Sequence, residues 1–218
     1  MQLKLVIGNK NYSSWSLRPW LVLKQLGVEF EEILIPLFVG DWRQQIGQYT
    51  PAGKVPVLIC DHFAIWESLA IMEFLVEQFP EANLLPTDPA ARAMNRSIAA
   101  EMHAGFINVR THMPMNGRAR YPGMGRTIDV LKEINRITTI WRDCRNRYGS
   151  GGDLLFGHFT IADAMYAPVV LRFVTYGVEL DPVCQAYLEA VLNLPAMQEW
   201  LAAGAIEPYT IANYEYQV

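Results

Sequence analysis

The chain has 218 residues, 51% of them hydrophobic, and a formal net charge of −4 at pH 7, so it can bury a large core as one domain or two modest ones. The acidic balance and the lack of any module interleaving arginines with exposed aromatics argue against nucleic-acid binding, and no long uncharged apolar run or N-terminal export pattern points to a membrane or to secretion, which leaves the cytoplasm. Cys60, Cys144 and Cys184 are widely spaced with no C-x-x-C, which argues against a disulfide framework, a zinc cluster or a dithiol centre.

Leu3-Lys4-Leu5-Val6-Ile7-Gly8 reads as a first strand, buried on both faces in a parallel arrangement. The hydroxyl-rich loop Asn11-Tyr12-Ser13-Ser14-Trp15-Ser16 follows, then a helix with Leu17, Trp20, Leu21 and Leu23 at helical spacing, closed by Gly27. Serine hydroxyls and free backbone N–H groups at a positively polarised helix start suit either a helix cap, their commoner use, or a bound anion. Pro19 bears on that choice. A proline deletes no backbone bond only in a first turn, so regular helix is expected to begin near Ser16, with Ser16 as N-cap and Ser13 left in the loop for a ligand.

Residues 28–35 form a second strand stopped by Pro36, residues 41–49 a short helix, and Thr50-Pro51-Ala52-Gly53 a turn. In the third strand, Lys54-Val55-Pro56-Val57-Leu58-Ile59, the proline marks the entrance because it cannot donate to a sheet. Its peptide bond is trans, as most are, or cis. A cis Val55-Pro56 bond would turn the Val55 N–H and C=O outward, ready to pair with an extended peptide. Asp61-His62 leads to the hairpin partner Phe63-Ala64-Ile65-Trp66. Glu67-Ser68 then opens a helix over residues 69–75, where a carboxylate and a hydroxyl either cap the helix or grip the ammonium and carboxylate of an amino-acid end.

In order and spacing, Ser13-Ser14-Trp15-Ser16-Leu17-Arg18, Lys54-Val55-Pro56-Val57-Leu58 and Glu67-Ser68-Leu69-Ala70-Ile71 resemble the marks of the cytosolic glutathione transferases, and the resemblance extends over the whole chain. It implies an α/β thioredoxin-like N-terminal domain over residues 1–80, a linker over 81–90, and an all-α C-terminal domain over 91–218 that contributes the electrophile site. It also implies a homodimer. Glutathione would be the co-substrate, held by Ser13, Lys54, Val55, Pro56, Glu67 and Ser68, with no metal.

The serine loop is similar to the S-S-C-S-W-R motif of the zeta class, whose first serine activates the glutathione thiol. That places the role on Ser13, with Ser14 the neighbouring candidate. The loop departs from the motif at Trp15, where zeta enzymes have cysteine, and at Leu17, where they have tryptophan. With no cysteine nearby, the thiol-disulfide chemistry of the omega and beta classes is not expected. Conjugation to a small hydrophobic electrophile is. A hydroxyl donated to sulfur stabilises the thiolate, the nucleophilic form of a thiol whose free pKa is about 8.5. The alternatives are a maleylacetoacetate-type isomerase using the same thiolate and a non-catalytic interaction protein on the same fold.

Beyond the Pro-rich linker, residues 91–112 read as one long helix with Met94, Ile98, Met102, Phe106 and Val109 along one stripe. Such a stripe is usually core. In a transferase this helix also borders the electrophile site, so Trp15, Met102, Phe106, Arg110 and Met113 are the candidates for lining it, while His103 is assigned no chemistry. Residues 113–125, rich in Pro, Gly, Met and Arg, are expected to form a flexible loop over that site. Between Arg110 and Arg147 nine basic residues face three acidic ones, which suits a solvated helix face or, around Arg118 and Arg120, a dicarboxylate substrate. After a helix over 125–148 and a glycine-rich break, Thr160 and Asp163 resemble a capping box that opens a buried helix running to Tyr176. Two amphipathic helices, over 183–192 and 196–203, precede an aromatic tail over 208–218 expected to fold back near the mouth of the site.

Overall fold

The computed structural model describes residues 1–216, so Gln217 and Val218, the end of the expected aromatic tail, lie outside the described residues. The chain begins with β1 (Leu3–Ile7), α1 (Ser14–Leu26) and β2 (Glu31–Leu34), a crossover unit whose strands pair in parallel with Val6 opposite Ile33. After α2 (Trp42–Gly47), β3 (Val57–Cys60) runs antiparallel to β1 with Val6 opposite Val57, and β4 (Phe63–Trp66) returns beside it. The sheet order is β2-β1-β3-β4, followed by α3 (Ser68–Gln78).

Strand alternation decides which face each residue serves. Leu3, Leu5 and Ile7 join the large core with α1, whereas Val6 joins Ile35, Ile46 and Val57 in a small cluster beneath α2. β2 is shorter than the predicted 28–35, because its ladder with β1 starts only at Glu31. Glu31 and Glu32 are exposed on this edge strand, where charge discourages further pairing.

The start of α1 differs from the sequence expectation. The helix begins at Ser14 with Ser13 in the N-cap position, and Pro19 lies inside it. Ser16 is therefore not the cap. Its hydroxyl turns back toward β1, accepting the Gly8 N–H at 3.0 Å, and lies 2.7 Å from Ser13 Oγ. The bond that Pro19 deletes is the one to the Trp15 carbonyl, so the proline perturbs the helix only at the end carrying the serines. Gly27 closes α1 in the left-handed region at φ 66°, as the sequence indicates.

The proline-rich stretch after α3 makes a single 3-10 turn, Pro80–Ala82, and leads to α4 (Pro89–Ala104), capped by Asp88 through Ala91 N–H at 2.8 Å. The single helix expected over 91–112 is two. Gly105 and Phe106 interrupt it, with Phe106 left-handed at φ 55°, before α5 (Ile107–His112). Arg110 stabilises the break by donating back to the His103 and Met102 carbonyls at 3.0 and 3.4 Å, which are among those left open at the end of α4.

The remaining helices are α6 (Ile128–Tyr148), α7 (Ile161–Tyr176), α8 (Pro182–Leu192) and α9 (Pro195–Ala205). α7 is buried along nearly its whole length and opens with the Thr160–Asp163 capping box. It packs on α1 at one side and on α4 and α8 at others. Since α1 lies between the sheet and α7, the serine loop sits at the joint between the α/β half and the helical half. Among the described residues no helix is long and apolar enough to cross a membrane.

Candidate active site

Two neighbouring hollows meet at the serine loop. The larger, about 450 Å³, is bordered by Ser13, Ser14, Trp15, Arg110 and Arg172, among others. The smaller, about 210 Å³, lies against the Val55-Pro56 bond and the start of α3, bordered by Glu67 and Ser68. Trp15, Lys54 and Val55 border both. A wider hollow of about 760 Å³ lies elsewhere, along β2. Several of its polar groups are already engaged, Lys24 with Glu199 and Trp20 with Glu32, and it lies away from the serine loop.

The serines are held from behind rather than used as caps. Ser13 makes no side-chain cap bond, and its N–H is satisfied by the Asn9 carbonyl at 2.7 Å. Ser14 Oγ accepts from Arg172 Nη2 at 3.3 Å. Gly8 permits the close approach of β1 to the loop, since a Cβ there would stand 2.6 Å from Leu37 Cδ1 and 3.2 Å from Ser13 Oγ.

The Val55-Pro56 bond is cis. The β1–β3 ladder starts at Val57, and among the described residues nothing pairs with the Val55 N–H or C=O, so this stretch presents a free edge at the junction of the hollows. At the start of α3, Glu67 is held in the left-handed region at φ 69°, a conformation that costs energy for a non-glycine residue and often marks a functional site. Beside it the buried Ser68 hydroxyl has no hydrogen-bond partner among the described residues. A buried hydroxyl left open at the edge of a hollow calls for a polar ligand or water.

Three arginines surround Trp15 and Ser14. Arg172 is buried, donating to the Met113 carbonyl at 2.8 Å, the Pro168 carbonyl at 3.2 Å and Ser14 Oγ. Burial, reinforced by the Arg110 charge, pushes its pKa down to about 10. Arg18 lies 4.0 Å from the Trp15 ring centroid, fully buried, and its three guanidinium nitrogens have no hydrogen-bond partner among the described residues. Burial first, then the Arg172 and Arg110 charges, depress it well below the ordinary arginine range. Arg110 stands 5.3 Å from the same ring. None of the three forms an ion pair among the described residues, and two of them, Arg110 and Arg172, border the larger hollow. His103 packs edge-on against Trp15, and Nε2 is 3.5 Å from Glu67; burial and the Arg18 charge lower its pKa.

Of the candidates for the electrophile site, Trp15 and Arg110 border the larger hollow. Met102, Phe106 and Met113 do not; they are buried in the core, the commoner use of an apolar stripe at this spacing. Arg118 and Arg120 are also spent elsewhere. Arg118 clamps the C-terminal tail through the Glu207 and Tyr209 carbonyls at 2.9 and 3.0 Å and meets Tyr12 Oη at 2.9 Å, while Arg120 donates to the carbonyls of its own loop. The loop over 113–125 is packed rather than loose: Met113, Met115, Asn116 and Tyr121 are buried.

Sequence reasoning missed Arg172, Arg18, Phe38, Trp42, Met115 and Tyr214 as neighbours of the site. For Arg172 a signal existed, since it is the one charged residue between Ala164 and Tyr176. Tyr214 reaches the hollow because the tail folds back, anchored by Glu215, which accepts from the Tyr12 and Tyr121 hydroxyls.

Comparison with known proteins agrees with this architecture. Residues 12–78 match the glutathione S-transferase N-terminal domain and residues 115–203 the glutathione S-transferase C-terminal domain. The chain is 30% identical to a maleylacetoacetate isomerase of Rattus norvegicus over 85% of each chain. It is 29% identical to a probable maleylacetoacetate isomerase of Caenorhabditis elegans over 84% of this chain and 85% of the relative. In three dimensions it is similar to a glutathione transferase homolog from Burkholderia solved with bound glutathione, with a TM-score of 0.72, 23% identity and coverage of 94% of this chain and 98% of that one. A likeness also holds to a zeta-class bacterial maleyl pyruvate isomerase, with a TM-score of 0.68, 21% identity and coverage of 95% and 100%. The chain belongs to the glutathione S-transferase family.

Proposed function

We propose that the chain is a glutathione transferase that activates the bound thiol at Ser13 and directs it at a small electrophile in the larger hollow. The observation that carries this reading is the position of Ser13: it borders that hollow together with Val55, and its hydroxyl makes no helix-cap bond. In this reading residues 1–80 hold the tripeptide, 81–90 join the halves, and 91–218 supply the far wall. The Val55 backbone pairs with the extended peptide as a strand would. Glu67, the open Ser68 hydroxyl and the N-terminus of α3 take the amino-acid end, and Lys54 stands between the two hollows. Ser13 donates to sulfur, so the thiol loses its proton to solvent more readily; each pKa unit gained is worth about 1.4 kcal/mol. Holding the thiolate beside the electrophile contributes further rate.

Trp15, Phe38, Trp42, Met115 and Tyr214 border the same hollow and support a small hydrophobic electrophile. A homodimer in the cytoplasm completes the reading. Exposed Phe63 and Trp66 on β4 and Ile128 and Leu131 on α6 support association through these faces.

A second reading, glutathione-dependent cis-trans isomerisation of a maleylacetoacetate-type dicarboxylate, is favoured by one observation: Arg110 and Arg172 border the hollow without a carboxylate partner. The names of the two relatives point the same way. Retention on immobilised glutathione, followed by turnover of an aryl halide against isomerisation of maleylacetoacetate, separates the readings. Conjugation is expected to dominate. Isomerisation alone would favour the second reading, and a folded protein neither retained nor active would leave the non-catalytic interaction protein.

A further inference from the structure

We propose that Ser16 is a positioning residue that fixes the direction of the Ser13 proton. The proposal rests on the reading of Ser13 as the thiol-activating hydroxyl. The geometry is a three-member line: Gly8 N–H to Ser16 Oγ at 3.0 Å, then Ser16 Oγ to Ser13 Oγ at 2.7 Å. Distance alone does not say which serine donates. Burial and proton count do.

Ser16 is fully buried, and the backbone N–H of Gly8 fills part of its acceptor capacity. Its single proton still needs an acceptor. Among the described residues the only other group bonded to Ser16 is Ser13 Oγ. Were Ser13 to donate to Ser16, the Ser16 proton would be stranded in the interior, an arrangement that folded proteins avoid. Ser13 has a choice that Ser16 lacks, because it borders the larger hollow. The order is therefore Gly8 N–H to Ser16, Ser16 O–H to Ser13, and Ser13 O–H into the hollow. Each member polarises the next, so Ser13 becomes a stronger donor than an isolated serine. Ser14 lies outside this line; its oxygen accepts from Arg172 instead.

The test is an ultraviolet titration of the thiolate of enzyme-bound glutathione, with the pH profile of kcat/KM for an aryl halide, in Ser16→Ala, Ser13→Ala and the double variant. Ser16→Ala is expected to raise the bound-thiol pKa by about half a unit, roughly a threefold loss of thiolate below that pKa, with Ser13→Ala raising it by about one unit or more. The double variant is expected to match Ser13→Ala alone, because Ser16 acts only through Ser13, and Ser16→Thr to restore the wild-type profile. An unchanged pKa in folded Ser16→Ala, or additive shifts in the double variant, would overturn the relay while leaving Ser13 activation intact. No shift in Ser13→Ala overturns both. Should Ser16→Ala fail to fold, Ser16→Cys, a feeble donor of similar size, decides the point: a raised pKa supports the relay and a wild-type value overturns it.

Discussion

Among the helices that start with a hydroxyl residue at the N-cap, α1 and α7 use it in opposite ways. At α7 the polar groups close on one another: Asp163 accepts from Thr160 N–H and Thr160 Oγ1 at 2.9 Å each and from Leu155 N–H at 3.1 Å, while Asn95 Nδ2 donates to Thr160 Oγ1 at 2.9 Å. At α1 Ser13 caps nothing, Ser14 is held by a buried arginine, and Arg18 in the next turn has unsatisfied donors. A helix start whose cap and N3 side chains are paired, as Thr160 and Asp163 are, contributes stability. One left open at a hollow stores polar groups for a ligand and weakens the fold in proportion.

That contrast gives graded predictions. Asp163→Ala strands several buried donors and should cost about 3 kcal/mol or more, read by chemical denaturation, while folded protein keeps its affinity for glutathione. Arg18→Met should do the opposite. Removing an unpaired buried charge is expected to stabilise the protein by about 1–3 kcal/mol, raising Tm by several degrees. A loss of stability in that variant would mean that Arg18 has a partner in solution, and the contrast between the two helix starts would weaken. Thr160→Ala is the smallest change, about 1 kcal/mol in the same denaturation measurement with glutathione affinity intact. A lower affinity at unchanged stability would assign the α7 cap to the site rather than to the fold.

Much of the fold was legible because its signals are local. The Thr160–Asp163 pair lies three residues apart on one turn, Gly27 marks the end of α1, and Pro56 marks the entrance of β3. The start of α1 was less legible for an equally local reason. Ser13, Ser14 and Ser16 are all competent caps, and the rule that places Pro19 in a first turn yields when surrounding structure holds the helix. The break at Gly105 and Phe106 was hidden by an apolar stripe that continues through it, and it is supported by Arg110 reaching back to carbonyls of the preceding helix.

The peptide side of the candidate site came from ordered motifs: the serine loop, Val55-Pro56 and Glu67-Ser68. The rest of the larger hollow was read only in part: Trp15 and Arg110 were anticipated, whereas Phe38, Arg172 and Tyr214 reach it only through tertiary folding. Arg118 illustrates the same limit from the other direction, since a basic loop residue that suited a substrate instead holds the tail.

The most direct measurement of the central claim is the ionisation of bound glutathione in Ser13→Ala, taken together with its conjugation rate and its unfolding curve. The account predicts a thiol pKa raised by about one unit or more, about 1.4 kcal/mol, and conjugation reduced at least about tenfold, with a stability cost of about 1–3 kcal/mol because the buried Ser16 proton loses its acceptor. A wild-type pKa and wild-type turnover in the folded variant would contradict it, leaving Ser13 a purely structural hydroxyl.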